Sequence, residues 1–142
     1  MDTFDLDAIS KELDEVHAIA RRAFLTRDID AYRSVFTDDL RYVQPNGKPI
    51  GLSQLMCDVG DQLSRFKAVD SEFTRESVAM NEDGTVTQVT RQIGRCSIAV
   101  FFIFTKTWCI ERRGKYRFRR TDKGWRICHV EVLSESVKSG TR

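Results

Sequence analysis

Apolar residues recur at helical spacing in three segments of the first half of the chain. Within residues 6–25, six apolar positions from Leu6 to Ala23 are three or four residues apart and share one helix face. Asp28 is placed to cap a second, short helix that carries the apolar residues Ala31 to Phe36. A third helix is predicted after Gly51, with its apolar residues from Leu52 to Phe66 again at helical spacing.

The pattern changes from helices to strands after Phe66. Valine, isoleucine, threonine and aromatic residues become frequent, and short turn sequences interrupt them. Strands near 69–80 and 85–95 flank the turn Asn81–Gly84, and strands near 115–121 and 125–134 flank the turn Asp122–Gly124. Residues 96–114 fit either one long, bulged strand or two strands that turn at Arg113–Gly114.

One more short strand is predicted between the second and third helices, at residues 40–43, and it is followed by the loop 45–49, which holds both prolines. The order of the elements, helices first and then an antiparallel sheet, is typical of an α+β fold rather than of repeated βαβ units. We therefore predict a single α+β domain over residues 1–142 with a frayed tail after Ser134 (136–142).

Composition excludes several classes of protein. Apolar residues make up 41% and charged residues 31% of the chain, with a net charge of +2, which is typical of a globular domain and not of a disordered or strongly nucleic-acid-binding one. The longest apolar run, Ile98 to Phe104, is too short to cross a membrane. The acidic start Met1–Asp5 lacks the features of a signal peptide, so a cytoplasmic protein is expected, with no membrane or nucleic-acid partner.

The motifs of metal, nucleophile and nucleotide sites are not found in the sequence. The cysteines, Cys57, Cys96, Cys109 and Cys128, are widely spaced without a C-x-x-C pair, so we expect reduced, mostly buried thiols. The chain has two histidines, which are far apart and form no H-x-x-x-H motif. No metal site and no cofactor are predicted.

The two histidines are interpreted from their local patterns. His17 lies at the edge of the apolar stripe of the first helix, and a functional role would require Tyr32, Tyr42 or an acid across a cavity. On the last strand, alternation places His129 on one face and Cys128 on the other. We expect Cys128, Val130 and Val132 to meet the helices and His129 and Glu131 to face outward; a single bulge would reverse this assignment.

Residues 112–120 hold six basic side chains and two aromatic ones. Such a segment fits a strand that binds nucleic acid or another anion. It equally fits the outer face of a strand on which Lys115, Arg117 and Arg119 pair with acids across the sheet or across a dimer. The nearly neutral total charge favours the second interpretation.

Two segments resemble the NTF2-like (SnoaL-like) superfamily, whose fold is a cystatin-like α+β cone. The first contains Asp28–Tyr32, Phe36–Leu40, Pro45–Gly47 and Ile50–Gly51. The second, Arg119–His129, includes the turn that ends in Gly124-Trp125 and resembles the family's last hairpin, which is also similar to that of the small (β) subunit of aromatic-ring-hydroxylating dioxygenases. The resemblance implies N-terminal helices packed in a curved antiparallel sheet, an interior pocket and a homodimer formed through the sheet.

The ketosteroid-isomerase version of this family uses an aspartate general base before a proline, a tyrosine of the first helix and a protonated aspartate of the sheet. The corresponding positions here are Gln44, Ala20 and a residue near Arg117. An amide cannot abstract a proton, so isomerase activity of that kind is not expected.

The family resemblance indicates a pocket that binds a small, largely apolar organic ligand, and it leaves open whether the protein is a lyase, an isomerase or a cyclase. The pocket candidates are His17, Tyr32, Tyr42, Gln44, Met56 and Trp108. Two alternatives remain: a non-catalytic dimerisation or interaction module, and the structural small subunit of a ring-hydroxylating dioxygenase.

Overall fold

The computed structural model describes residues 6–100 and 104–141, which form three helices and one curved, open, six-stranded sheet. The helices are α1 (Leu6–Thr26), α2 (Ile29–Arg33) and α3 (Leu52–Arg65). The strands are β1 (Phe36–Val43), β2 (Pro49–Ile50), β3 (Lys67–Met80), β4 (Val86–Val100), β5 (Phe104–Thr121) and β6 (Gly124–Thr141). The predicted α+β fold, with N-terminal helices against a curved sheet, is confirmed.

The strands are arranged in the order β2-β1-β6-β5-β4-β3. All neighbours are antiparallel except β1 and β6, which are parallel. The two predicted hairpin turns are present, and each contains a glycine at positive φ, Gly84 at 86° and Gly124 at 101°. Only glycine adopts this conformation without a steric penalty, so the turns are encoded locally.

The core lies between the helices and the concave face of the sheet. Leu13 of α1 and Phe118 of β5 have no exposed surface, and Val130 of β6 is 1% exposed. The buried face of α3 joins the same cluster through Leu55, Met56, Val59 and Leu63, among others. Among the described residues, no helix is long and apolar enough to cross a membrane.

Helix boundaries agree with the sequence except at α2. Asp28 caps this helix as predicted, accepting a hydrogen bond from the Ala31 N–H at 3.1 Å. The helix ends at Arg33, however, and Phe36 already belongs to β1, so the first strand begins four residues before the predicted residue 40. The parallel pairing of Phe36 with Ile127 draws this residue into the sheet, a contact that local propensity cannot reveal.

Two strand predictions and one prediction about the cysteines need correction. Residues 96–114 fit neither predicted alternative: β4 ends at Val100, and β5 continues through Arg113 and Gly114 and pairs with β4 from Phe104 to Phe118. The expected frayed tail is wrong too, since β6 continues to Thr141 and pairs with β5 as far as Lys106. The cysteines are free as expected, but Cys57 is exposed and only Cys96 is buried.

A bulge at Cys128 corrects the predicted faces of the last strand. Phe118 pairs with Ile127 and Arg117 with His129, so Cys128 is the extra residue on β6. As a result Trp125 and Ile127 are buried against the helices together with Val130. Cys128 was expected to meet the helices; instead its thiol donates to the Arg117 carbonyl at 3.5 Å.

Candidate functional site

The helix-facing side of β4 is polar at its centre. Gln88 and Thr90 have no exposed surface and Gln92 is half-buried, whereas the apolar Val89 lies on the opposite side of the strand. An antiparallel strand normally places apolar residues toward the core and polar ones toward solvent. The reversed alternation therefore marks the concave face as a polar site. This spacing is visible in the sequence, and it is the signal that our sequence analysis missed.

Side chains from four strands and α2 form what we call the tyrosine–arginine cluster. Its members are Tyr32, Tyr42, Gln92, Arg112, Tyr116 and Glu135. The Arg112 guanidinium is central: its Nε donates to Glu135 Oε2 at 2.7 Å, and its Nη1 faces Tyr42 Oη at 3.4 Å. Tyr116 Oη is 3.3 Å from the Gln92 side-chain oxygen. The Arg112 side chain is 33% exposed, so the cluster lies at an opening of the concave face and not in a closed core.

Two tyrosines of this cluster, Tyr32 and Tyr116, stay protonated over the physiological pH range. Burial, with a smaller contribution from Tyr42, raises the pKa of Tyr32 to about 12, and the same two causes raise the pKa of Tyr116. Burial alone would lower the pKa of Arg112, but Tyr42, Tyr116 and Glu135 outweigh it and raise that pKa. The cluster therefore presents neutral hydroxyl donors beside a permanent cation, a combination that binds an oxygen anion.

A second polar group, the His17 network, links α1 to β3 and β4. His17 Nε2 lies 2.7 Å from the Gln88 side-chain amide. With the amide nitrogen donating to His17, the amide oxygen accepts from Arg75 Nη2 at 3.1 Å. Arg75 also pairs with Asp14 and donates to the Ser10 carbonyl at 3.2 Å. Burial lowers the pKa of His17, so the imidazole is neutral near pH 7.

Tyr116 connects the two polar groups. Its ring meets the His17 ring edge to face, with the centroids 5.9 Å apart, while its hydroxyl belongs to the tyrosine–arginine cluster. Thr90 lies on the same side of β4, opposite Gly114, and its buried Oγ1 has no hydrogen-bond partner among the described residues. A ligand oxygen or a water is the partner that such a buried hydroxyl requires.

The structure brings together some of the predicted pocket residues and separates others. Tyr32 and Tyr42 meet in the tyrosine–arginine cluster, and Met56 belongs to the core against which both pack. His17 lies deeper, in its own network. Gln44 is in the turn after β1, where its amide donates to the Lys48 carbonyl at 3.2 Å. Trp108 lies farther along β5 and packs edge to face on Phe66, with centroids 5.3 Å apart.

Two surface clefts lie outside the tyrosine–arginine cluster. One, of about 600 Å³, is lined by the start of β1 and by the β5–β6 hairpin, with acidic and basic side chains in equal number. The other, of about 360 Å³, runs between α1 and Phe73 and reaches His17. Of the six predicted pocket residues, only His17 lines either cleft. We place the candidate site at the tyrosine–arginine cluster, because there a partly accessible cation and hydroxyl donors converge on one point.

Four of the six basic residues in segment 112–120 are paired with acids, but of the three residues named by the second interpretation only Arg119 is paired; Lys115 and Arg117 form no ion pair with a described residue. Four of its arginines form ion pairs: Arg112 with Glu135, Arg113 with Glu76, Arg119 with Asp39 and Arg120 with Glu12. Arg117 is exposed on the outer face, so it cannot occupy the interior position that the isomerase resemblance assigned to it. Its helix-facing neighbour Tyr116 lines the interior instead. Within residues 6–100 and 104–141, no three His, Cys, Asp or Glu side chains are grouped as a metal site requires.

Solved structures similar to this chain share its fold at low sequence identity. A conserved protein from Planctomyces limnophilus is 16% identical, with a TM-score of 0.76, over 89% of this chain and 98% of that one. A candidate aromatic ring hydroxylase from Novosphingobium aromaticivorans is 20% identical, with a TM-score of 0.69, over 93% and 94% of the two chains. A ketosteroid isomerase-like protein from Erwinia carotovora atroseptica is 14% identical, with a TM-score of 0.65, over 85% and 93%.

A search of curated protein sequences finds no relative of this chain. The model of the SnoaL-like domain matches residues 13–134, which include two thirds of α1, all of α2 and α3, strands β1 to β5 and more than half of β6. The match agrees with the curved sheet, the N-terminal helices and the structural neighbours. The chain therefore belongs to the SnoaL-like domain family.

Proposed function

We propose that this protein binds a small organic molecule, largely apolar and carrying one anionic oxygen group, at the tyrosine–arginine cluster. The observation that carries the proposal is the position of Arg112 on the concave face. Two of its nitrogens, Nε and Nη2, are bound to Glu135, while Nη1 is directed at Tyr42; the side chain as a whole is 33% exposed. A carboxylate or enolate oxygen at Nη1 would also be within the range of the hydroxyls around it.

The surroundings of the cluster suit an apolar ligand body. Tyr32 and Tyr42 pack on the buried core, and the Tyr32 ring meets that of Phe36 with centroids 5.4 Å apart. Apolar walls with a few placed polar groups are the usual composition of a small-molecule site. The same donors would stabilise an oxyanion that develops during a reaction, so a lyase, isomerase or cyclase activity is compatible with the site.

The test compares 2-naphthoate with 2-naphthamide in a thermal-shift assay. We expect the acid to raise the melting temperature of the wild type more than the amide does. In Arg112→Gln that difference should disappear, because a hydrogen bond to a charged group contributes about 1.5–3 kcal/mol, or roughly 10- to 100-fold in affinity. Tyr42→Phe should partly reduce the difference between the shifts that the acid and the amide produce.

The matched control is Arg113→Gln, since Arg113 is the next residue on β5, faces outward and pairs with Glu76. This variant should keep the preference for the acid. Because Arg112→Gln leaves Glu135 unpaired, the double variant Arg112→Gln with Glu135→Gln separates loss of binding from loss of stability. An equal response of the wild type to acid and amide, or loss of the preference in Arg113→Gln, would contradict the proposal.

A non-catalytic interaction module is the second candidate. It is supported by apolar side chains of β6 that are open to solvent, Leu133 at 42% and Val137 at 54% exposed. If none of a broad set of aromatic acids, steroids and polyketide-like ketones shifts the melting temperature, this function replaces the first.

A further inference from the structure

The outer face of the sheet carries a group of cations that the proposed ligand site does not use. Arg41 of β1 is in register with His129 of β6, and His129 is in register with Arg117 of β5. In the next row, Lys115 is in register with Glu131. We call Arg41, Lys115, Arg117 and His129 the outer cationic cluster.

Strand alternation places these four side chains away from the helices. Each follows or precedes a buried residue that faces the core: Leu40 beside Arg41, Tyr116 and Phe118 beside Arg117, and Val130 beside His129. Arg41, Lys115 and Arg117 are exposed and His129 is half-buried. The cluster is therefore on the opposite side of the sheet from the tyrosine–arginine cluster.

The cluster differs from the rest of the outer face in its charge balance. Four other outer arginines are paired: Arg119 with Asp39, Arg91 with Glu111, Arg95 with Asp70 and Arg113 with Glu76. Arg126, in register with Arg119, donates to the Trp125 carbonyl and forms no ion pair with a described residue. Arg41, Lys115 and Arg117 form no ion pair with any described residue.

Few groups around His129 balance the positive charge. Arg41 faces it from β1, Arg117 and Lys115 face it from β5, and Glu131 is the acid on its own strand. Three cations and one carboxylate leave a charge of +2. Burial, then Arg117 and Arg41, lower the pKa of His129, which shows that the imidazole lies within their field.

We propose that the outer cationic cluster is a binding site for a dianionic phosphoryl or sulfate group. Like charges opposite one another in a sheet are destabilising, and a dianion would cancel the local charge of +2. Arg41 and Arg117 are separated by one strand, about 9.6 Å between backbones, so two long side chains can converge above His129. The planar fork of arginine binds tetrahedral oxyanions through paired N–H groups.

A small anion fits this site better than a nucleic acid strand. Binding of single-stranded nucleic acid uses aromatic side chains on which bases stack. The aromatic residues next to the cluster, Tyr42, Tyr116 and Phe118, face the helices on the other side of the sheet. The cluster thus offers charge without a stacking surface.

The two histidines of the chain give a direct test by nuclear magnetic resonance. Their imidazole signals are assigned with His129→Gln and followed from pH 5 to 8 in sodium chloride and in sodium sulfate of equal ionic strength. Sulfate remains a dianion throughout this range. We expect sulfate to raise the pKa of His129 and to leave that of His17 unchanged, because a bound dianion favours the imidazolium.

By linkage, sulfate should bind more tightly as the pH falls through the pKa of His129, about tenfold for each unit by which sulfate raises that pKa. Arg41→Gln and Arg117→Gln should reduce the shift, and the double variant should abolish it. Arg91→Gln is the matched control, since Arg91 is an outer-face arginine of β4 paired with Glu111. Inorganic phosphate compared with phenyl phosphate at pH 8 then separates a site for the free ion from one for a phosphate ester.

Equal pKa values of His129 in chloride and sulfate would overturn the proposal, because they would show ionic screening only. A shift that survives in the double variant would also overturn it. A third contrary result is a dimer that dissociates in salt while sulfate leaves the His129 signal unmoved. In that case acids of a second copy neutralise the cluster.

Discussion

At the scale of single residues, the concave face depends on groups whose charge state is set by burial. His17 is 6% exposed and its pKa is lowered, chiefly by burial. The pKa values of Tyr32 and Tyr116 are raised, because burial penalises the anionic form of a phenol. Burial thus keeps both the imidazole and these two hydroxyls neutral, and the charged part of the tyrosine–arginine cluster is the ion pair of Arg112 and Glu135.

The pKa shifts of the histidines predict how stability depends on pH. The folded-state pKa values of His17 and His129 lie below the ordinary value of 6.5, to which both return on unfolding. The unfolded state therefore binds more protons below about pH 6.5, so the histidine contribution is complete above that pH and is lost as the pH falls. We expect the free energy of unfolding in urea to decrease from pH 6.5 to 5, by about 1.4 kcal/mol for each unit of pKa shift.

The variants His17→Gln and His129→Gln show how much each histidine contributes to the pH dependence of stability. His17→Gln should flatten the slope more than His129→Gln, because His17 is the more deeply buried. Carboxylates with a lowered pKa, such as Asp39, affect stability mainly below pH 5. The change between pH 6.5 and 5 therefore comes chiefly from the histidines. A wild type whose stability is constant from pH 6.5 to 5 would disprove the burial of neutral His17.

At the scale of elements, α3 determines how much room the concave face leaves. Five of its residues are buried, and Met56 is 8% exposed within the main core cluster. The sequence suggested that Met56 lines an open pocket. Tyr32 and Tyr42 pack against the same cluster, so we expect Met56 to fill space beneath the tyrosine–arginine cluster.

Substitution of Met56 by tryptophan tests this packing. We expect Met56→Trp to lower the free energy of unfolding by about 1–3 kcal/mol, the usual effect of overfilling a packed core. Ser53→Trp, on the exposed side of the same helix, should change it by less than about 0.5 kcal/mol. Equal effects of the two variants in urea unfolding would show that the space beside Met56 is open, as a ligand pocket there requires.

At the scale of the whole molecule, the outer face of the sheet combines paired charges with apolar positions. Val89 and Ile93 face outward on β4, the reverse of the polar residues that β4 turns toward the helices. Leu133, the extra residue where β6 shifts register against β5, is 42% exposed. Such apolar positions on a broad sheet face favour association with a second copy, which stabilises a dimer by about 25 cal/mol per Å² of apolar area buried.

We therefore predict a homodimer formed through the sheet around Ile93 and Leu133. The β5 partner of Ile93, Glu111, is six residues from Arg117, so this contact area differs from the row of the outer cationic cluster. Light scattering at micromolar concentration should give twice the 16.4 kDa mass of the chain. Ile93→Lys should shift the protein toward the monomer, because a lysine ammonium would be desolvated in the interface, while circular dichroism stays unchanged. A wild type that scatters as a monomer would rule out the dimer at that concentration.

The sequence by itself determined the parts of this protein that depend on local chemistry. The helix stripes, the Asp28 cap and the turns at Gly84 and Gly124 follow from side-chain spacing and from backbone conformations that few residues adopt. The family resemblance rested on these same local features. They were sufficient for the α+β class and for the curved-sheet fold.

Only the tertiary structure decided which side chains meet. The bulge at Cys128 brings Trp125, Ile127 and Val130 to one face, and no local preference shows which residue of a strand will be left unpaired. Tyr42, Arg112 and Glu135 come from three strands and converge because the parallel β1–β6 pairing fixes their register. The register of a strand depends on its partner strands, so the polar site could be identified only from the assembled sheet.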